Sequence, residues 1–118
     1  HLAAKTSVEE SNQKPTVYYK QNVLNTLCLL QSCIDHGVKQ FIFSSTAAVY
    51  RSQSDFLNES SSVFPTSPYG KSKYVAELML RDITREHNID CIIFRYFNVA
   101  GFHPSMLVGS YKIFTKKF

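Results

Sequence analysis

Between residues 16 and 36 the apolar side chains Val23, Leu27, Leu30 and Ile34 recur at spacings of four, three and four, which lays one stripe along a helix. Gly37 follows and stops it. The run Lys39-Gln40-Phe41-Ile42-Phe43 lacks helical length and comes straight after that stop, so it predicts a buried strand ending at Ser44. Residues 50–66 are rich in serine, contain Asp55, Asn58 and Pro65, and keep no periodicity, as a surface loop does. Ser67 then offers a capping hydroxyl and Pro68 a pre-set first helical position. They open a helix to about His87 whose buried stripe is Ala76, Met79, Leu80 and Ile83. After Asn88 the β-branched, apolar run Cys91-Ile92-Ile93-Phe94 predicts a second buried strand. Helix, strand, helix, strand in this order implies an α/β chain with parallel strands joined by right-handed crossovers. From Phe102 onward the pattern weakens: Pro104 interrupts it, and residues 102–118 read as a tail with no assigned element.

Composition narrows the class. At 118 residues, 44% hydrophobic and 14% aromatic, the chain has the make-up of one folded domain and not of a disordered one. The net charge of +4 comes partly from Lys112, Lys116 and Lys117 in the tail, which read as a solvated basic end. The other Lys and Arg residues are scattered among acids, so no nucleic-acid partner is expected. Cys28, Cys33 and Cys91 are odd in number, fit no zinc spacing and sit among apolar residues, so they are expected as buried thiols of a reducing compartment. No stretch approaches the ~20 apolar residues of a membrane span, and residues 1–12 have no apolar signal core, so no membrane partner and a cytoplasmic location are expected. The chain opens with His1 in what reads as a strand end, which points to an N-terminal part that the sequence does not contain.

The candidate chemistry sits at the start of the second helix. Tyr69 and Lys73 are four residues apart and therefore lie one turn apart on one face. A free tyrosine titrates near ~10 and a lysine near ~10.4, so neither is a base at pH 7 without help. A cation beside the phenol favours phenolate, and such a pair can take a proton from a hydroxyl. Upstream, Ser44-Ser45-Thr46 lies at a strand's C-terminal edge, where parallel-sheet proteins place ligands. The pattern alone leaves a second reading open: a surface tyrosine with a solvated lysine, and hydroxyls that merely close a loop.

Three motifs in order carry a resemblance. Phe41-Ile42-Phe43-Ser44-Ser45-Thr46-Ala47-Ala48-Val49-Tyr50, then Ser67-Pro68-Tyr69-Gly70-Lys71-Ser72-Lys73, then Arg95-Tyr96-Phe97-Asn98-Val99-Ala100-Gly101 resemble the extended short-chain dehydrogenase/reductases, and among them the UDP-glucose 4-epimerases. His1-Leu2-Ala3-Ala4, Glu10-Ser11, Pro15, Tyr18-Tyr19 and Asn22-Val23 are similar to the same enzymes, so the likeness covers about residues 1 to 105. The resemblance implies a partial Rossmann-like doubly wound parallel sheet over residues 1–101, NAD as cofactor, UDP-glucose or UDP-galactose as substrate, and a possible homodimer built from a helix pair. Tyr69 would be the base that removes the O4 proton as hydride leaves C4, Lys73 would lower its pKa and bind the nicotinamide ribose, and Thr46 would position O4. Ala3, Ala4, Asn22, Ser44 and Phe97, together with Tyr69 and Lys73, fall where the family contacts NAD, Lys5 is a further cofactor-binding candidate beside them, and Asn98 falls where the family contacts the diphosphate.

The chain also departs from the pattern. The family has a lysine one residue after the Ala-Ala pair, whereas here Lys5 follows directly and Thr6 takes that place; Arg51 stands where glycine is usual. Gly37, Gly70, Gly101 and Gly109 are too far apart to form the glycine-rich turn that brings backbone to a pyrophosphate. Three readings stay open: part of a 4-epimerase, another sugar-nucleotide enzyme such as a 4,6-dehydratase, or an inactive remnant or binding module. The dehydratases need an acidic pair where this chain has Ala47 and Ala48, which favours the first over the second. Of the remaining singled-out residues, His36 is expected to cap a helix end, Tyr18 and Tyr19 to pack, and His1 and His103 to hold no metal.

Overall fold

In the computed structural model, which describes residues 1–51 and 56–99, the first helix comes earlier than the hydrophobic pattern predicts. α1 (Val8–Gln13) starts where the Ser7 hydroxyl accepts the Glu10 N–H, with Glu9 and Glu10 at the positive end of the helix dipole. Pro15 then opens α2 (Pro15–Tyr19). The helix expected across residues 16–36 is interrupted by a π-helical turn, Lys20–Leu24, before α3 (Asn25–Asp35). The wider turn rotates the inward face, so the buried line is Asn22, Thr26 and Leu30. Of the expected stripe Leu30 alone is fully buried; Leu27 is exposed, and Val23 and Ile34 are half-buried. Gly37 ends the helix at φ +67°, a value that a residue with a Cβ rarely adopts. His36 lies at the same end with Nδ1 2.8 Å from the Ser32 carbonyl, the capping role expected of it.

β1 (Gln40–Thr46) runs two residues beyond the predicted end at Ser44, and a 3-10 turn, Ala47–Val49, follows it. Tyr50 is buried and bridges to Val63 in antiparallel fashion, so the predicted loop is tied down at its start. α4 (Pro68–Glu86) begins as the sequence indicates: the Ser67 hydroxyl accepts the Gly70 N–H at 3.1 Å, with Pro68 in the first turn. β2 (Asp90–Tyr96) pairs with β1 in parallel, in register from Gln40↔Asp90 to Thr46↔Tyr96. His1 sits on the other side of β1, its amine donating to the Ile42 carbonyl at 2.7 Å and its carbonyl accepting the Ser44 N–H at 3.2 Å. Parallel strands therefore bring residues 44–46 and residues 96–98 to one sheet edge.

The core lies on one side of this sheet, where Leu30, Phe41, Phe43, Ala76, Leu80 and Ile89 pack together. Burying each large side chain stabilises by about 1.5–3 kcal/mol. The other side is open among the described residues: Ile42, Ile92 and Phe94 are exposed, which corrects the expectation of two buried strands. Side chains alternate along a strand, and the described helices cover a single face. The cysteines differ as well, with Cys28 exposed on α3 and Cys33 and Cys91 half-buried at the core's margin. The tail at residues 102–118 lies outside the described residues. No helix among those residues is long and apolar enough to cross a membrane.

Candidate functional site

Tyr69 is the second residue of α4 and stands on a wall shared by two neighbouring cavities at the C-terminal edge of the strands. The first, of about 450 Å³, is lined by Ala4, Ser44, Ser45, Tyr69, Lys73 and Tyr96. The second, of about 470 Å³, is lined by Ser45, Thr46, Ala48, Tyr69, Phe97 and Asn98. The sequence predicts cofactor contacts at Ala4, Ser44 and Lys73, and these fall on the first; the predicted substrate residues Thr46 and Asn98 fall on the second. Phe97, predicted on the cofactor side, lines the second cavity and is largely exposed.

Lys73 follows one turn after Tyr69, buried at 3% exposure, with its ammonium 4.2 Å from the centroid of the Phe43 ring. Burial pushes its pKa down to about 8, partly offset by the charge of Glu77. Among the described residues it forms no hydrogen bond or ion pair, so its three donors remain available to the cavity that it lines. An ammonium with free donors beside small side chains suits the hydroxyls of a ribose, so these residues fit the nicotinamide end of a dinucleotide. Thr46 holds a different posture: its hydroxyl oxygen accepts the Ala48 N–H at 3.1 Å, which leaves its proton to donate towards the second cavity.

Three predicted cofactor residues line neither cavity. Ala3 is exposed at the surface. Lys5 is tied to Glu10 at 3.0 Å, and that pairing, together with the Tyr18 hydroxyl, holds Glu10 below the usual carboxylate range. Asn22 is buried in the π-helical turn, where its carbonyl oxygen accepts the Lys5 N–H at 2.9 Å and its amide donates to the Lys5 carbonyl and the Ser72 hydroxyl at 3.0 Å each. Both of its N–H donors are spent on the protein, so Asn22 ties the segment at Lys5 to α4 and does not reach out with a donor. Here the geometry differs from the expected direct contact.

Tyr18 packs as expected, and three residues next to the site make contacts that the sequence pattern does not reveal. Tyr18 is fully buried, donates to Glu10 at 3.0 Å and presents its ring edge-on to Tyr69, with centroids 6.3 Å apart. Gly70 lies against the 3-10 turn so closely that a Cβ would meet the Ala48 carbonyl oxygen at 2.4 Å. Glu77 is fully buried on α4; it accepts the Ser45 hydroxyl and the Arg95 guanidinium, whose nitrogens lie 2.7–3.2 Å away. The Glu77 carboxylate raises the Arg95 pKa still further above its ordinary value. The available signal was a carboxylate at a core-facing position of an amphipathic helix, beside Ala76 and one turn before Arg81.

Residues 1–114 match the NAD dependent epimerase/dehydratase family. A UDP-glucose 4-epimerase of Azospirillum brasilense is 44% identical over 110 residues, covering 92% of this chain and 32% of that protein. A UDP-glucose 4-epimerase structure from Stenotrophomonas maltophila, with bound NAD and formylated UDP-arabinopyranose, superposes with a TM-score of 0.87 at 35% identity, over 100% of this chain and 36% of that one. A dTDP-glucose 4,6-dehydratase from Streptomyces venezuelae with NAD bound gives 0.77 at 36% identity, over 80% and 30%. The chain thus spans about a third of the length of the relatives that it matches. It has the partial Rossmann-like α/β fold of these enzymes, and its similarity runs through both the hydroxyl-rich strand end and the Tyr69 helix: the chain belongs to the NAD dependent epimerase/dehydratase family.

Proposed function

We propose that these residues are the proton-transfer apparatus of an NAD-dependent UDP-glucose 4-epimerase, interconverting UDP-glucose and UDP-galactose at C4. The observation that carries the reading is the position of Tyr69 between the Lys73 cavity and the Thr46–Asn98 cavity. NAD, when bound, supplies the hydride acceptor and then the hydride donor at C4. Tyr69 as phenolate takes the O4 proton and later returns it, and Lys73 stabilises the phenolate and holds the nicotinamide ribose. Thr46 donates to O4 and orients it, Asn98 meets the diphosphate, and Ala4 and Ser44 give the cofactor a close wall. Lys5 and Asn22 support the site from behind through their bonds to each other and to Ser72 on α4, and Phe97 borders the substrate side.

A 4,6-dehydratase needs an acid for its elimination step, and among the described residues neither cavity has an Asp or Glu in its lining. The same reading makes residues 1–101 part of an NAD-binding domain of a cytoplasmic enzyme. Under the same reading exposed leucines of the helices, Leu24 and Leu27 three residues apart and Leu78 on α4, supply apolar surface for a homodimer.

The test takes the protein at the length its native source makes, and follows conversion of UDP-galactose with NAD present. Conversion that falls at least 100-fold in Tyr69→Phe is the expected result. Absence of conversion, with NAD unbound, would overturn the enzyme reading in favour of a binding module; equal rates in the variant would overturn the role of Tyr69.

A further inference from the structure

The carboxylate of Glu77 sits where three functional elements meet. It lies four residues after Lys73 and eight after Tyr69, hence on the same face of α4. It has no exposed surface, accepts the Ser45 hydroxyl from the end of β1, and receives both Nε and an Nη of Arg95 from the end of β2. Arg95 is itself held over the Tyr50 ring at 4.8 Å, which joins the residue after the 3-10 turn to the same cluster. Arg81, 3.7 Å away and largely exposed, adds a looser contact.

Such a pair is an unusual choice for stability. Desolvating two charges offsets much of their attraction, and apolar replacements of the same volume are often neutral or better. A guanidinium fork on a carboxylate provides direction instead, because two parallel bonds fix angle as well as distance. We propose that Glu77 and Arg95 are positioning residues for the candidate site: one buried ion pair that registers the helix bearing Tyr69 and Lys73 against the strand ends bearing residues 44–46 and 96–98, with the Ser45 hydroxyl as its third contact.

The charge has a second effect on Lys73. The titratable groups on the elements around it are Tyr69 and Glu77 on α4, Tyr96 and Arg95 on β2, Tyr18 on α2 against Tyr69, Glu10 on α1 bonded to Tyr18, and His1 against the Phe43 ring that Lys73 covers; β1 presents Phe43, Ser44 and Ser45. Glu10 is engaged by Lys5 and Tyr18, and Glu77 is the carboxylate that favours the charged lysine against burial.

Two measurements decide the proposal. The first rests on the epimerase reading: in the native-length protein, Ser45→Ala and Arg95→Lys should lower kcat for UDP-galactose about 10- to 100-fold with KM within about 3-fold. Ile83→Val, which trims the core at the other end of α4, should change neither. The second needs no turnover: with 13Cε-lysine labelling and Lys73 assigned by Lys73→Arg, Glu77→Gln should move the Lys73 titration midpoint downward while Ile83→Val leaves it in place. Failure of turnover in the wild type with a shifted midpoint overturns the epimerase reading and upholds the positioning role. An unshifted midpoint in folded Glu77→Gln, or equal kcat in Ser45→Ala, overturns the positioning role; should Glu77→Gln not fold, Ser45→Ala decides it.

Discussion

Lys73 shows how much one residue's surroundings change its chemistry. A solvated lysine is charged through the physiological range, whereas this one is pushed by burial down to about 8. The consequence for stability has a definite sign. In the unfolded chain the amine holds its proton up to the ordinary value of 10.5, and in the folded chain it gives it up near 8. Between those values the unfolded state binds the extra proton, so folding becomes more favourable as pH rises through that window, and the unfavourable contribution is fully present below it. Lys73→Met should abolish that rise; denaturant midpoints at pH 7, 8.5 and 10 for both proteins check it, and parallel curves would refute the assignment. Tyr18 acts at the same scale: its hydroxyl is spent on Glu10, so what it offers Tyr69 is a fixed ring edge.

Among the elements, α4 carries the most consequence, and its N-terminus is fixed twice. The Ser67 cap and Pro68 start the helix, and Gly70 lets its first turn rest on the carbonyl of Ala48. Cap and proline are visible as residue types, and the sequence locates the helix start correctly from them. The reason for glycine at position 70 is not visible, because it depends on a backbone oxygen 22 residues earlier. Gly70→Ala should force the helix away from the 3-10 turn, costing about 1–3 kcal/mol in stability. It should also depress turnover by more than the loss of folded protein accounts for, since Tyr69 precedes it directly; thermal unfolding and kcat measured on the same preparation separate the two effects. The π-helical turn is the converse case. The spacing of Val23, Leu27, Leu30 and Ile34 fits an unbroken helix, yet the chain widens at Lys20–Leu24 so that Asn22 can reach Lys5 and Ser72. Hydrogen bonds across 17 and 50 residues override the local period there.

For the whole molecule, the open side of the sheet is the dominant surface feature of the described residues. Ile42 and Ile92 face each other across the ladder at 52% and 51% exposure, and Phe94 and Tyr96 continue the apolar row. A contiguous apolar patch of this kind favours association. The 118-residue chain should self-associate in a concentration-dependent way, and Ile42→Lys with Ile92→Lys should shift it towards monomer in sedimentation; unchanged behaviour of the double variant would place the sticky surface on the helices instead.

What the chain alone makes legible has local causes: the alternation of helix and parallel strand from α3 to β2, the capped start of α4, the glycine stop at Gly37, and the motif pattern of the family. Turn chemistry, side-chain spacing and strand propensity act over a few residues and can be read without a fold. Long-range packing settles which side of each strand is covered, that Lys5 and Asn22 bind the protein where a cofactor contact is expected, and that Glu77, Arg95 and Ser45 form one buried cluster. Those outcomes depend on which polar groups burial strands together across 17 to 50 residues of chain, where a donor left unpaired costs more than the local pattern can offset.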